Sequence, residues 1–278
     1  MTTAEVLTAM PAEGVLLVTL HRPERRNAWT IAMEAQYFAA LAAAADDPDV
    51  KAVVVTGSDG HFCPGFDAER LDSAAAGVRV ELANRPSILA IRRFPKPMIA
   101  AVDGACAGIG LAHALLCDIR FLSDQARIAT AFTRRGLAGE RAITWMLPRL
   151  IGTEPALDLL LSGRTLSGAE AHRMGVGSRL LPATDLLSAA LNYAAEMARR
   201  CSPTAMAVMR AQVYGDLDRS FAEASHVSDA VVVEMSAGPD IAAGVRAMQQ
   251  RTPPDFAPLP PGFDGAAWIE QARHAVAE

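Results

Sequence analysis

The sequence predicts an α/β fold, and three observations carry that prediction. Short runs of apolar and β-branched residues alternate with helical stretches up to about residue 181, which is the pattern of strand and helix units wound together. The chain then turns helical and stays so. Between the buried strand Met98 to Val102 and an apolar helix opening near Ile109 lies a turn of small residues, Asp103 to Gly108, and the rest of the chain is organised around it.

Taken in order, GVLLVTLHRP is a strand ended by Pro23 and the charged loop Glu24-Arg25-Arg26. Thr30 then caps a helix to about Ala45, with Glu34 in its first turns. Asp46-Asp47-Pro48 stops that helix, and KAVVVTG (Lys51 to Gly57) is the next strand. Gly77 to Phe94 reads as a helical stretch interrupted at Pro86. After the central turn come the strands Ile119 to Leu122 and Arg127 to Ala131, and a loop from Phe132 to Gly139. Glu140 starts a helix that Pro148 bends, and a further helix begins at Glu154. Ser167-Gly168-Ala169-Glu170 is a capping box opening a short helix ended by Gly175. The strand Ser178 to Leu181 closes the alternating part. Helices follow over Asp185 to Arg200, Pro203 to Tyr214, Asp218 to Ala237 and Asp240 to Gln250, with apolar stripes suited to packing on another surface. Beyond Ala257 the proline-rich part is a linker, and the last segment is an amphipathic helix docked through Trp268 and Ile269.

The chain has 278 residues, 51% hydrophobic and 5% aromatic, with a net charge of −5, so no basic surplus points to nucleic acid. Its longest apolar runs fall far short of the roughly 20 residues a membrane helix needs, and the first residues carry no export signal. A cytoplasmic protein is expected. Cys63, Cys106, Cys117 and Cys201 show neither a CxxC pair nor metal-ligand spacing, so buried free thiols are expected, with no disulfide and no metal.

In the central turn Gly104, Gly108 and Gly110 permit backbone conformations and close approaches that a Cβ forbids. The helix behind them directs free N–H groups and its positive end at whatever sits over the turn, where a developing oxyanion would be stabilised. The same glycines would equally serve to pack helix against sheet.

A second segment, His61-Phe62-Cys63-Pro64-Gly65-Phe66-Asp67, follows the strand VVVTG. With HRPERRNA, KPMIAAVDGACAGIGLAHALLCDIR, RRGLAGERAITWMLPRLIG, LSGRTLSGAEAHRMGVGSRLLP and the helical C-terminal part, it forms an ordered set from Gly14 to Phe256. This set resembles the enoyl-CoA hydratase/isomerase (crotonase) family. The resemblance implies a spiral of ββα units over residues 1–200, a C-terminal helical oligomerisation region over 201–256, and a linker with a terminal helix over 257–278. It also implies an acyl-CoA substrate, no cofactor beyond the coenzyme A of that substrate, and a homotrimer or a hexamer built as a dimer of trimers.

By motif position, the oxyanion hole would be the backbone N–H groups of Phe66 and Ile109. CoA contacts would come from Arg25, Arg26, Ala28, Pro64, Phe66 and Arg251. The two glutamates that a hydratase of this family places around a water are here Ala112 and Phe132, neither of which moves a proton. His113 is one residue off, about 100° around the helix, and should face away. Glu140 matches the single carboxylate of family members resembling Δ3,Δ2-enoyl-CoA isomerases, so isomerisation through Glu140 is the expected activity. The alternatives are enoyl-CoA hydration, thioester hydrolysis or decarboxylation in the same oxyanion hole, and a noncatalytic acyl-CoA-binding subunit. Glu140 read without the resemblance is a helix-end carboxylate, paired with Arg134, Arg135 or Arg141. Acyl selection is expected to sit in Leu71 to Phe94.

Overall fold

The computed structural model describes residues 4–67, 69, 72, 75–76 and 85–277. Among these, a large sheet has the strand order β1-β2-β3-β4-β6-β9 and a small one the order β5-β7-β8. The large sheet comprises β1 (Val6–Ala12), β2 (Val15–Leu20), β3 (Ala52–Gly57), β4 (Met98–Val102), β6 (Ile119–Ser123) and β9 (Arg179–Leu181). β1 and β2 form an antiparallel hairpin, and every later pairing in this sheet is parallel. The small sheet comprises β5 (Ala105–Ala107), β7 (Arg127–Ala129) and β8 (Thr165–Ser167).

The chain winds between the two sheets. β4 lies in the large sheet and β5 in the small one, α1 (Ile31–Asp46) having come before both; α2 is Leu89–Arg93 and α3 is Ile109–Leu116. After α3, β6 returns to the large sheet and β7 to the small. This is the expected ββα spiral. β5 and β8 were not legible as strands: the first lies within the segment read as a turn, and the second is only three residues long.

The parallel strands are buried on both faces, and the period of two decides which side chain goes where. Val53, Val55, Met98, Ala100 and Val102 face one core, formed with α1 and α3. Ala52, Val54, Ile99 and Ala101 face the other, where Leu186, Ala190, Ala194 and Ala198 of a long helix pack on them. The following helices are α4 (Ile143–Ile151), α5 (Thr153–Ser162), α6 (Gly168–Arg173), α7 (Ala183–Arg200), α8 (Pro203–Asp216), α9 (Phe221–Ala237), α10 (Pro239–Gln250) and α11 (Gly265–Ala277). Ser167 makes both bonds of its capping box with Glu170, as expected. Ile269 of α11 is buried against Val208, Val227 and Val231, with Trp268 beside it. No helix among the described residues is long and apolar enough to cross a membrane.

Some expectations are corrected. The helix expected from Glu140 begins at Ile143, because Arg141 and Ala142 take left-handed backbone conformations (φ 51° and 56°). The helix expected from Asp218 begins at Phe221, where Ser220 supplies the cap. Cys201 is half-buried, whereas Cys63, Cys106 and Cys117 are buried as expected, and all four are free thiols. Of the stretch from Gly77 to Phe94, residues 77–84 lie outside the described residues, and α2 is its helical part.

One arginine ties the C-terminal helices to the spiral. Arg210 of α8 is buried, donates through Nε to both carboxylate oxygens of Asp118 (2.8 and 2.9 Å), and donates to the carbonyls of Ile91, Arg92 and Phe94 (3.0, 2.7 and 2.6 Å). Asp118 also accepts from Tyr214 Oη and from the Met98 amide. Removing one member of such a buried pair strands the other charge. Arg210→Met is expected to lower stability by about 3 to 5 kcal/mol, measured by urea unfolding.

Candidate active site

The site is built where two backbone turns meet. Phe62 and Cys63 donate their amides to the carbonyls of Asp103 and Ala105, and Ala107 donates back to Cys63. The segment after β3 is thereby zipped to the central turn. At Gly110 the fit admits no side chain: a Cβ there would lie 2.3 Å from the Cys63 carbonyl oxygen. At Gly108 φ is +54°, a region that L side chains rarely enter, and a Cβ there would touch Gly65 Cα at 3.9 Å. Helix packing and turn geometry therefore both use these glycines.

Phe66 and Ile109 follow Gly65 and Gly108, so their amides issue from adjoining backbone. Ile109 is the first residue of α3, and no side chain caps that helix. An amide at this position has no partner within its own helix and is directed along the helix's positive end. Phe66 pairs as an isolated bridge with Trp29 through the bonds Trp29 N–H to Gly65 O (2.8 Å) and Asp67 N–H to Trp29 O (3.1 Å). This bridge brings the loop of Arg25, Arg26 and Ala28 beside Pro64 and Phe66. Arg25 and Arg26 are exposed, Ala28 is buried, and Pro64 is half-buried. Asn27 fixes the loop by donating to the carbonyls of Ser58 and His61 (2.8 and 2.7 Å). Arg22, hydrogen-bonded to Asp67 at 2.9 Å, holds that carboxyl below its usual range. Arg251 stands apart: it is the exposed, left-handed residue that ends α10, and no hydrogen bond or ion pair among the described residues joins it to this loop.

The positions where a hydratase of this family carries glutamates are hydrocarbon here. Ala112 is fully buried. Phe132 is buried too, and its ring edge lies 4.0 Å from where a Gly108 Cβ would be. The phenyl walls one side of the turn. His113 is buried, stacked on Trp29 at 4.2 Å and edge-on to Tyr37. Neither ring nitrogen has a hydrogen-bond partner, and burial, with the charge of Arg85 adding to it, brings its pKa down to about 3.

Glu140 lies in the loop before α4, so it is not a helix-end carboxylate. Its side chain is 25% exposed, and its Oε2 is 3.4 Å from Arg85 Nη1. Arg85 is thus one partner; of the arginines expected, Arg134 donates to the Ser162 carbonyl and Arg141 turns to Glu34. The Arg85 guanidinium also sits 5.7 Å over the Phe66 ring, which places Glu140, Arg85 and Phe66 in one group. Glu34, read from sequence only as a first-turn residue of α1, is the buried acid behind them.

The profile of the enoyl-CoA hydratase/isomerase family matches residues 11–258. A probable enoyl-CoA hydratase of Mycobacterium tuberculosis, EchA12, is 36% identical over 236 residues, covering 80% of this chain and 81% of the relative. A probable enoyl-CoA hydratase/isomerase structure from Mycobacterium abscessus superposes with a TM-score of 0.84 at 33% identity, over 92% of this chain and 99% of that one. A monofunctional enoyl-CoA isomerase structure from M. smegmatis gives a TM-score of 0.67 at 35% identity, over 80% and 98%.

The burial of His113 has a pH signature. Its folded pKa of about 3 lies below the ordinary 6.5, so between those values the unfolded chain binds the extra proton. Stability is therefore full above pH 6.5 and is lost as pH falls. From pH 7 to pH 5 this one group is expected to cost about 2 kcal/mol. Urea unfolding of the native protein and of His113→Leu at both pH values checks it, the variant losing less.

Proposed function

The chain belongs to the enoyl-CoA hydratase/isomerase family, and from that premise we propose that it isomerises a 3-enoyl-CoA to the 2-enoyl-CoA, with Glu140 as the proton carrier. The observation that carries the reading is the placement of one partly exposed carboxylate, Glu140, beside the Phe66 turn, while the two positions that serve hydration are Ala112 and buried Phe132.

In this reading the thioester carbonyl accepts hydrogen bonds from the Phe66 and Ile109 amides. Glu140 takes a proton from C2, and the electron pair delocalises into a dienolate whose oxygen carries the charge into the amide pair. The protonated Glu140 then delivers the proton to C4, and the double bond rests between C2 and C3. No water is consumed and no redox change occurs. Each amide donor is worth about 2.7 to 4 kcal/mol in the transition state. Because the donors are main chain, the Phe and Ile side chains shape the pocket without supplying the bonds.

The exposed Arg25 and Arg26, beside Pro64 and Phe66 and behind Ala28, suit the phosphates of CoA. Arg251 fits CoA only from another subunit, given its place at the end of α10. Assembly into a homotrimer, or a hexamer of two trimers, is supported to the extent that α8 to α10 leave apolar side chains in solvent, among them Met209, Val213, Phe221, Val232 and Met248.

The test is turnover of 3-enoyl-CoA thioesters of several chain lengths by the native protein and Glu140→Gln. The native protein is expected to form the 2-enoyl product and the variant to lose about 10²- to 10⁴-fold in kcat. Equal turnover by both would overturn the role of Glu140. With crotonyl-CoA no loss of the enoyl absorbance is expected, and steady hydration would restore the hydratase reading.

A further inference from the structure

Behind Glu140 lies a charge arrangement that proton transfer itself does not use. Glu34 on α1 is almost wholly buried, at 1% exposure. Two arginines from distant parts of the chain meet on it. Arg85 Nε donates to both of its carboxylate oxygens (3.2 and 3.0 Å), and Arg141 Nη2 pairs with its Oε1. Arg85 then reaches onward through Nη1 to Glu140. Arg141 is the residue next to Glu140, and it is held inward by Glu34 and by the Pro86 carbonyl (2.9 Å). It does so in a left-handed backbone conformation that a residue with a side chain seldom adopts and that its surroundings must enforce.

We propose that Glu34 is a positioning residue for this site, holding Arg85 and Arg141 so that only a share of their positive charge falls on Glu140. The inference rests on the reading of Glu140 as the proton carrier. Among the described residues, Arg85 from the segment before α2 and Arg141 from the loop of Glu140 bring positive charge to this place, and Glu34 from α1 opposes it. His113 of α3 stays neutral. Were Glu34 absent, both guanidinium groups would have Glu140 as their remaining counter-charge, and an adjacent arginine stabilises the ionised form of a carboxylate. Glu140 would then ionise at lower pH and become a weaker base. Glu34 thus keeps the proton carrier basic while itself remaining out of reach of substrate.

The experiment compares pH profiles of kcat/KM for 3-enoyl-CoA turnover in the native protein, Glu140→Gln, Glu34→Gln and Arg141→Gln, with near-UV circular dichroism as the folding control. In Glu34→Gln the acid limb is expected to move about one unit lower while kcat on the plateau falls about tenfold and KM changes little. Arg141→Gln should move the limb the opposite way, because one cation is gone; it keeps the proposal testable where Glu34→Gln does not fold. A fall in activity with the acid limb unmoved in the folded variants would leave Glu34 a purely structural acid and overturn the inference. Full activity in Glu140→Gln would instead overturn the underlying reading, and the two failures are told apart by which variant shows them.

Discussion

The contact on which everything else depends is that of the Cys63 carbonyl with Gly110. The helix α3 and the turn after β3 cross so closely that the space for a Cβ is already occupied, at 2.3 Å from that oxygen. Because the crossing is backbone against backbone, it has almost no slack, and a packed interior transmits a displacement instead of absorbing it. It fixes the start of α3 relative to Gly65, and hence the spacing of the Phe66 and Ile109 amides. The Trp29 bridge then hangs the Arg25–Ala28 loop from the same point. The amide pair proposed to hold the oxyanion and the loop proposed to hold CoA are therefore both set by one crossing, at which a methyl on Gly110 has no room.

Buried arginines form the second layer of organisation. Arg210 and Arg85 solve the same problem in different ways. Arg210 meets one aspartate and three carbonyls, so its charge is spread over fixed acceptors and joins α8 rigidly to the spiral. Arg85 is shared between two carboxylates, one buried and one partly exposed, with an Nη2 that has no acceptor among the described residues. A cation between two acids is a balance, and its position answers to the charge state of each. The first arrangement suits a joint and the second a site.

What the sequence made legible follows from the range of each signal. The strands of the large sheet announce themselves because burial on both faces makes them continuous apolar runs, and Ser167 and Ser220 mark helix starts through bonds only three residues long. The glycine turns were legible because their geometry is local, and motif order supplied the roles proposed for Phe66 and Ile109. Pairings over long separations were not. Glu34, Arg85 and Arg141 lie 51 and 107 positions apart along the chain, counted from Glu34, and nothing in a buried first-turn glutamate distinguishes it from an exposed one. The left-handed residues Arg141 and Ala142 carry no glycine to betray them, which is why the helix was read as starting at Glu140. β5 and β8 owe their pairing to the sheet that receives them.

The wall formed by Phe132 bears on which reaction the site can favour. A hydratase needs two carboxylates to hold and split a water, and a phenyl ring in the place of one of them removes both the anchor and the room. For isomerisation the same substitution is useful. In the isomerisation proposed here the abstracted proton stays on Glu140 until it is returned at C4, and water near that carboxylate would exchange it. Phe132 lines the Gly108 turn from which the Ile109 amide issues, and Arg85 holds the Glu140 carboxylate. An amide pair in such surroundings also acts on the oxyanion at low dielectric, where each hydrogen bond counts for more than it would in water. Loss of the hydration machinery and support for proton shuttling are, on this reading, one change in the pocket.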